Sequence, residues 1–127
     1  MLVPLDLRAL AAEVRRLRDR GIEHAAVALL HSYRNPEHER SLVAFLAGHG
    51  LAAVGSAELA PLIQILPRAG TAVVEAYLAP VMASYLAGVA AAVGEGSLHV
   101  MTSAGGLVRE PSFRAKDALL SGPAGGV

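Results

Sequence analysis

From Thr71 to Gly94 the chain carries one formal charge, Glu75, in a span of 24 residues. No other feature restricts the fold as strongly. A helix of that length and apolarity either crosses a bilayer or is covered by protein, because water cannot solvate an apolar stripe around most of its circumference. Val73, Val74, Tyr77, Leu78, Val81, Met82, Tyr85, Leu86, Val89 and Val93 form that stripe. The span is rich in Ala and Gly, contains Pro80 near its middle and has no Lys or Arg at its immediate flanks to anchor it at an interface. The pattern therefore predicts a buried helix pair in a soluble protein, not a membrane span. A kink or break is expected at Pro80, which cannot donate to the carbonyl four residues back.

Length and charge narrow the class further. The 127 residues hold 11 Lys+Arg against 11 Asp+Glu, and no cysteine. A domain is typically about 100–150 residues, so there is material for one. With 54% apolar residues the chain is not disordered. Disulfides and Cys-based zinc sites are excluded. Neutral balance, without a basic cluster of five or more, argues against nucleic-acid binding, and 4% aromatic content offers few stacking platforms. The opening Met1-Leu2-Val3-Pro4-Leu5-Asp6 lacks the basic leader of a secretory signal, so a cytoplasmic location is expected. The glycine-rich end, Ser121 to Val127, reads as a turn opening into a further element, so the chain is expected to be part of something longer.

Before residue 57 the pattern alternates. Asp6 can cap a helix, after which Leu7, Leu10, Ala11, Val14 and Leu17 recur at helical spacing until Gly21, a helix stop. Ala25 to Leu30 is a continuous apolar run, as in a parallel strand buried on both faces. Asn35-Pro36-Glu37 is a helix start, with Leu42, Val43, Phe45 and Leu46 on its apolar side and Gly48 or Gly50 at its end. Leu51 to Val54 returns as a strand. Residues 1–56 thus read as a small parallel βαβ unit, with a right-handed crossover by rule. Residues 57–127 form a second region: an extended or strand segment at Leu62–Ile65, a helix opening at Thr71, and a strand at Leu98–Thr102.

Three places could carry chemistry. Thr102-Ser103-Ala104-Gly105-Gly106 is a strand feeding a Ser/Gly turn, where backbone can approach a ligand and free N–H groups can bind an anion. A plain tight turn accounts for the same residues. Ser121-Gly122-Pro123-Ala124-Gly125-Gly126 suits a helix N-terminus that packs closely or faces phosphate, yet matches neither the Walker loop nor the dinucleotide fingerprint. His31 and His38, with Glu37 or Glu39, could converge on a metal, but no recognised ligand spacing is present and a polar loop is the simpler reading. Arg68 could hold an anion, although a surface or capping role is expected. His24, His49 and His99 lie on different elements and read as structural, and Tyr77 and Tyr85 as core.

Four segments, in order, resemble one family. Leu30–Glu39 (LHSYRNPEHE), Thr71–Leu86 (TAVVEAYLAPVMASYL), Met101–Leu107 (MTSAGGL) and Ala115–Val127 (AKDALLSGPAGGV) look like the corresponding stretches of the hydantoinase A / 5-oxoprolinase family. Pro67-Arg68-Ala69-Gly70-Thr71 and Lys116-Asp117 favour its oxoprolinase-like branch. The resemblance implies an α/β chain: the small βαβ unit followed by part of an actin-like, ribonuclease H-like nucleotide-binding core. It implies an ATP-dependent enzyme that opens cyclic amides of the 5-oxoproline or hydantoin type. In that chemistry the amide oxygen is phosphorylated and the ring carbonyl becomes open to water, which demands Mg²⁺ and backbone donors around the phosphoryl group.

By the same resemblance, Ser103, Gly105 and Gly106 match the family's strand-end turn near the cleft. Ser121, Gly122, Pro123, Ala124, Gly125 and Gly126 match the helix start before its second phosphate loop. Ala104 departs from the Asn or Asp common in that turn, and no residue is assigned as a catalytic base. The phosphate-gripping loops themselves would lie before Met1 and after Val127, so the isolated chain is expected to be inactive and to bind no nucleotide tightly. A hydantoinase B-like subunit or fused domain is the implied partner. A non-catalytic module of the same fold and an acetone carboxylase-like relative are the alternatives.

Overall fold

Asp6 starts the first helix as its side chain suggests. Its Oδ1 accepts the N–H groups of Arg8 at 3.0 Å and Ala9 at 3.4 Å. These are donors that a helix start otherwise leaves without partners. A computed structural model describes residues 5–94 and 98–119. It divides into two compact units, Met1–Ala76 and Tyr77–Val127.

In the first unit, a 3-10 turn at Arg8–Leu10 leads into α1 (Ala11–Asp19), which buries Val14 and exposes Arg15, Arg16 and Arg18. α1 ends in a left-handed glycine: Gly21, at φ +78°, donates to Arg18 O at 2.8 Å, and Ile22 donates to Leu17 O at 3.1 Å. β1 (His24–Val27) follows. α2 (Glu37–Gly48) begins where Asn35 Oδ1 accepts the Glu37 N–H at 3.1 Å. It closes with the same device, Gly50 at φ +79° donating to Ala47 O and Leu51 to Leu46 O, both at 3.0 Å. β2 (Ala52–Gly55) then lies parallel to β1, with His24 opposite Ala52 and Val27 opposite Gly55. Val14, Val27 and Leu51 are the buried apolar side chains of this βαβ unit. A single helical turn, α3 (Ser56–Leu59), and an irregular link, residues 60–64, lead to α4 (Ile65–Val93).

Several expectations need correction. β1 stops at Val27 and does not run to Leu30, because the backbone of Leu29 and Leu30 is bonded to side chains instead of to a strand. Residues 62–64 form no strand, and the helix starts at Ile65, not Thr71. Pro67 does not prevent this, since the first turn of a helix has no N–H bond for proline to remove. Pro80 does not break the helix: α4 continues through it to Val93. Nor is α4 a buried pair. It is one helix, with Leu66 81%, Tyr77 77% and Val81 64% exposed. Its stripe is covered only in part among the described residues: Leu86 is buried and Met82 half-buried, whereas Val73, Tyr77, Val81 and Tyr85 are exposed. By length and composition alone, α4 could cross a membrane, a test that core helices of soluble proteins also pass.

The second unit holds the remainder of α4 and an antiparallel hairpin, β3 (His99–Met101) with β4 (Leu107–Arg109), Val100 facing Val108. Two 3-10 helices follow, Glu110–Ser112 and Ala115–Ala118. Leu86 and Ala115 are its buried apolar residues.

Gly21 and Gly50, the two left-handed glycines of the first unit, give a paired test. A Cβ on Gly21 meets nothing within 4 Å, whereas one on Gly50 would lie 1.9 Å from Arg18 Nη1, whose guanidinium donates to His49 O at 3.1 Å. Gly21→Ala is expected to cost about 1–2 kcal/mol, the penalty for a left-handed L-residue. Gly50→Ala costs more, because it also displaces Arg18. Urea denaturation followed by circular dichroism checks the order, and equal losses would show that Arg18 adds nothing.

Candidate functional site

At the carboxyl ends of β1 and β2, where α/β sheets usually open a ligand crevice, this chain places a buried ion pair. Arg68, in the first turns of α4, is 0% exposed, and Glu39, in the first turns of α2, is 1% exposed. Arg68 Nη1 lies 3.1 Å from Glu39 Oε1. Nη1 also donates to the hydroxyls of Ser32 and Ser56, the latter at 2.6 Å. Nη2 donates to Leu29 O at 2.8 Å and Leu30 O at 3.3 Å. One side chain thus ties together α4, the loop after β1, α2 and the start of α3.

Glu39 is just as fully engaged. Oε1 accepts the Leu29 N–H at 2.8 Å, the Ser32 hydroxyl at 2.5 Å and the Ser56 hydroxyl at 2.7 Å. Oε2 accepts the Ala57 N–H at 2.9 Å. Burial pushes the Glu39 carboxyl up. The bonds from the Ala57 N–H, the Ser32 hydroxyl, the Leu29 N–H and the Ser56 hydroxyl outweigh that and hold it below the ordinary carboxylate range. Ser56 follows β2 directly, and Gly55 keeps the approach open: a Cβ there would stand 3.3 Å from Glu39 Oε2.

This arrangement positions backbone and does no acid–base chemistry on a substrate, because a general acid or base must reach the reacting atom. It also revises the sequence reading. Arg68 is no surface cap: it is fully buried, and Glu39 is its partner. Among the described residues no group of three His, Asp or Glu side chains could hold a metal, and His31 is exposed, its ring 6.4 Å from that of Tyr33. A signal was present. Arg68 and Glu75 are the only charges between Ile65 and Val93, and a lone arginine in so apolar a helix needs a buried acceptor.

Ser103, Gly105 and Gly106 lie together in the turn that joins β3 to β4, Gly105 at φ +80°. The Thr102 N–H is bonded to Gly106 O at 2.8 Å, that of Gly105 to Thr102 O at 2.9 Å, and that of Ser103 to Asp117 O at 2.8 Å. The first two bonds close the turn and the third ties it to the 3-10 helix Ala115–Ala118, so these three N–H groups are already engaged. Ser121, Gly122, Pro123, Ala124, Gly125 and Gly126 lie outside the described residues. The residues described do not by themselves fit ATP or Mg²⁺. In the second unit, Met82, Tyr85 and Leu86 of α4, His99, Val100 and Met101 of β3, and Phe113 line a largely apolar hollow of about 320 Å³.

Two models of one family match the chain: the hydantoinase/oxoprolinase N-terminal region over residues 1–49, and hydantoinase/oxoprolinase over residues 68–127. The chain belongs to the hydantoinase/oxoprolinase family. It is 40% identical to 5-oxoprolinase 1 of Arabidopsis thaliana, over 98% of its own length and 10% of that protein. Caprolactamase subunit alpha of Pseudomonas jessenii is 34% identical over 95% of the chain and 18% of its own length. A crystal structure of the ATP-dependent caprolactamase from that organism matches at a TM-score of 0.82 with 31% identity, over 97% of this chain and 19% of that one. Nucleotide-free acetone carboxylase shares the fold at a TM-score of 0.75 with 24% identity, over 98% of this chain and 19% of that one. The α/β architecture, with a parallel two-stranded unit, is consistent with part of an actin-like core. The chain spans about a tenth of the first of these relatives and under a fifth of the others.

Both partners of the ion pair are buried, so removing one leaves the other uncompensated. Arg68→Met or Glu39→Ala is expected to cost about 3–5 kcal/mol in urea unfolding. The pH dependence has a fixed sign. With Glu39 lowered in the folded state, its stabilisation is complete above the unfolded value, about 4.3. It is lost as pH falls through the lower folded value. Unfolding midpoints measured between pH 6 and pH 2 are expected to drop in that acid window, and Glu39→Gln removes this part of the drop. An unchanged profile in Glu39→Gln would assign the acid loss to other carboxylates.

Proposed function

We propose that this chain is a stretch of an ATP-dependent hydrolase that opens a small cyclic amide of the 5-oxoproline or hydantoin type. Similarity over nearly the whole chain to proteins named 5-oxoprolinase and caprolactamase carries the reading, since 5-oxoproline and caprolactam are both cyclic amides. The likeness to acetone carboxylase supports the fold alone, so carboxylation is not the preferred reading. ATP and Mg²⁺ are bound by the whole enzyme. In this reading Ser103, Gly105 and Gly106, with Ser121, Gly122, Gly125 and Gly126, are framework near the nucleotide and not its principal grip. Residues 1–56 close the family's N-terminal region, and 57–127 open its core. The enzyme works in the cytoplasm with a hydantoinase B-like subunit or fused domain, a reading supported by the caprolactamase relative being named a subunit.

The test uses the full-length protein that contains these residues, with ATP and Mg²⁺, against 5-oxoproline, hydantoin and caprolactam. The expected result is ADP release that depends on one of these amides, together with the ring-opened acid. The 127-residue chain alone is expected to release none. Absent ATP hydrolysis by the full-length protein would favour a non-catalytic module, amide-independent hydrolysis would overturn the substrate class, and ring opening by the short chain would refute its inactivity.

A further inference from the structure

A helix on a protein's surface normally turns its charged and polar residues to the water. The part of α4 in the second unit does the reverse. No Lys, Arg, Asp or Glu occurs from Tyr77 to Val93. Leu86 is buried and Met82 half-buried, and both line the hollow shared with β3. On the other side Tyr77, Val81, Ser84, Tyr85, Gly88 and Ala92 are all exposed, and at helical spacing they fall within an arc of about 100°. Tyr77 is 77%, Val81 64% and Tyr85 63% exposed. A Cβ on Gly88 would meet nothing within 4 Å, so the helix backbone itself is open to close approach there.

The side chains on this face read the same in both directions. Tyr77, Val81 and Tyr85 stand four residues apart on one ridge of the helix, and Val73 and Val89 continue the spacing in the sequence. A two-fold interface needs that property, because residue i must meet j while j meets i. The missing charges remove the repulsion that opposes like facing like, and the net charge of the chain is zero. Size also suffices. With about 150–250 Å² for a buried aromatic, the two tyrosines and Val81 offer roughly 400 Å² a copy. Together with Ser84, Gly88 and Ala92 a pair buries roughly 1,000 Å², where specific association begins. We propose that the Tyr77–Val81–Tyr85 face of α4 docks a second copy of this chain, antiparallel about an axis at Val81. Val81 then meets its own counterpart, and each Tyr77 meets the other copy's Tyr85. Tyr85 also walls the hollow of about 320 Å³, so the ring that meets it has a concave apolar neighbour. Pairing of this kind depends on this face alone and not on the reaction proposed for the whole enzyme.

Sedimentation equilibrium of the 127-residue chain between about 5 and 500 µM is expected to show the mean mass rising from 13.1 kDa towards twice that value. Val81→Arg sets two like charges face to face at the axis and is expected to weaken the pairing at least about tenfold. Leu107→Arg, an exposed substitution on β4, is expected to change it by less than about threefold. Because the chain has no cysteine, single thiols then map the register with a short bifunctional thiol reagent. Val81→Cys is expected to couple to itself, and Tyr77→Cys mixed with Tyr85→Cys to couple more than either variant alone. A mass that stays at 13.1 kDa overturns the proposal and leaves this face to another part of the longer protein. Self-association untouched by Val81→Arg, or equal coupling at Val81→Cys and Leu107→Cys, would also overturn it, because either is adhesion without a defined surface. Stronger coupling of Tyr77→Cys to itself than to Tyr85→Cys would overturn the antiparallel register.

Discussion

The loop after β1, the first turns of α2 and the start of α3 converge on one guanidinium. Arg68 reaches α2, the loop after β1 and the start of α3 at once, and Glu39 answers from the far side through the same hydroxyls. A pair of leucines would cost less to bury, since two desolvated charges regain their hydration only through well-placed partners. What the ion pair adds is direction. Successive residues of a helix point about 100° apart, so a planar fork with fixed acceptors accepts one rotational setting of α4. An apolar contact would tolerate several. The register of the long helix is therefore set by Arg68 and not by its own apolar stripe.

The same centre explains where sequence reasoning succeeded and where it stopped. Asp6, Gly21, Asn35 and Gly50 act locally: each satisfies or releases backbone groups within a few residues, so each could be read from its neighbours. The βαβ order followed from them. Arg68 and Glu39 are 29 positions apart, and their pairing exists only once β1 and β2 are side by side. No spacing rule reaches that far. The end of β1 was misplaced for the same reason. Ala25 to Leu30 is apolar throughout, yet the last two residues give their backbone to Arg68 and Glu39 instead of to β2.

α4 shows a different limit. Its stripe was read as one buried on most sides, but periodicity reports a need for cover and not the identity of what supplies it. Leu66, Tyr77 and Val81 are uncovered among the described residues. The relatives are five to ten times the length of the matched segment, so burial of such a face in proteins of this family can involve parts far from it in sequence. Pro80 fits the same picture. An exposed helix can accommodate the ring and the lost bond locally, which is why an interior proline neither ended nor divided α4.

These features bear on how a family of ATP-dependent enzymes could use such a segment. The carboxyl edge of a parallel pair is the default place for a ligand in α/β folds. Here Arg68 fills it, and in the turn after β3 the N–H groups of Thr102 and Gly105 bond within the turn while that of Ser103 bonds Asp117 O. A phosphoryl group needs donors that are aimed and vacant before it arrives. At this edge Arg68 and Glu39 hold each other and the surrounding backbone in internal bonds instead, and that is the pattern of a framework. The socket at Glu39 therefore fixes how this framework is held, by tying the loop after β1, α2 and the start of α3 to one side chain of α4.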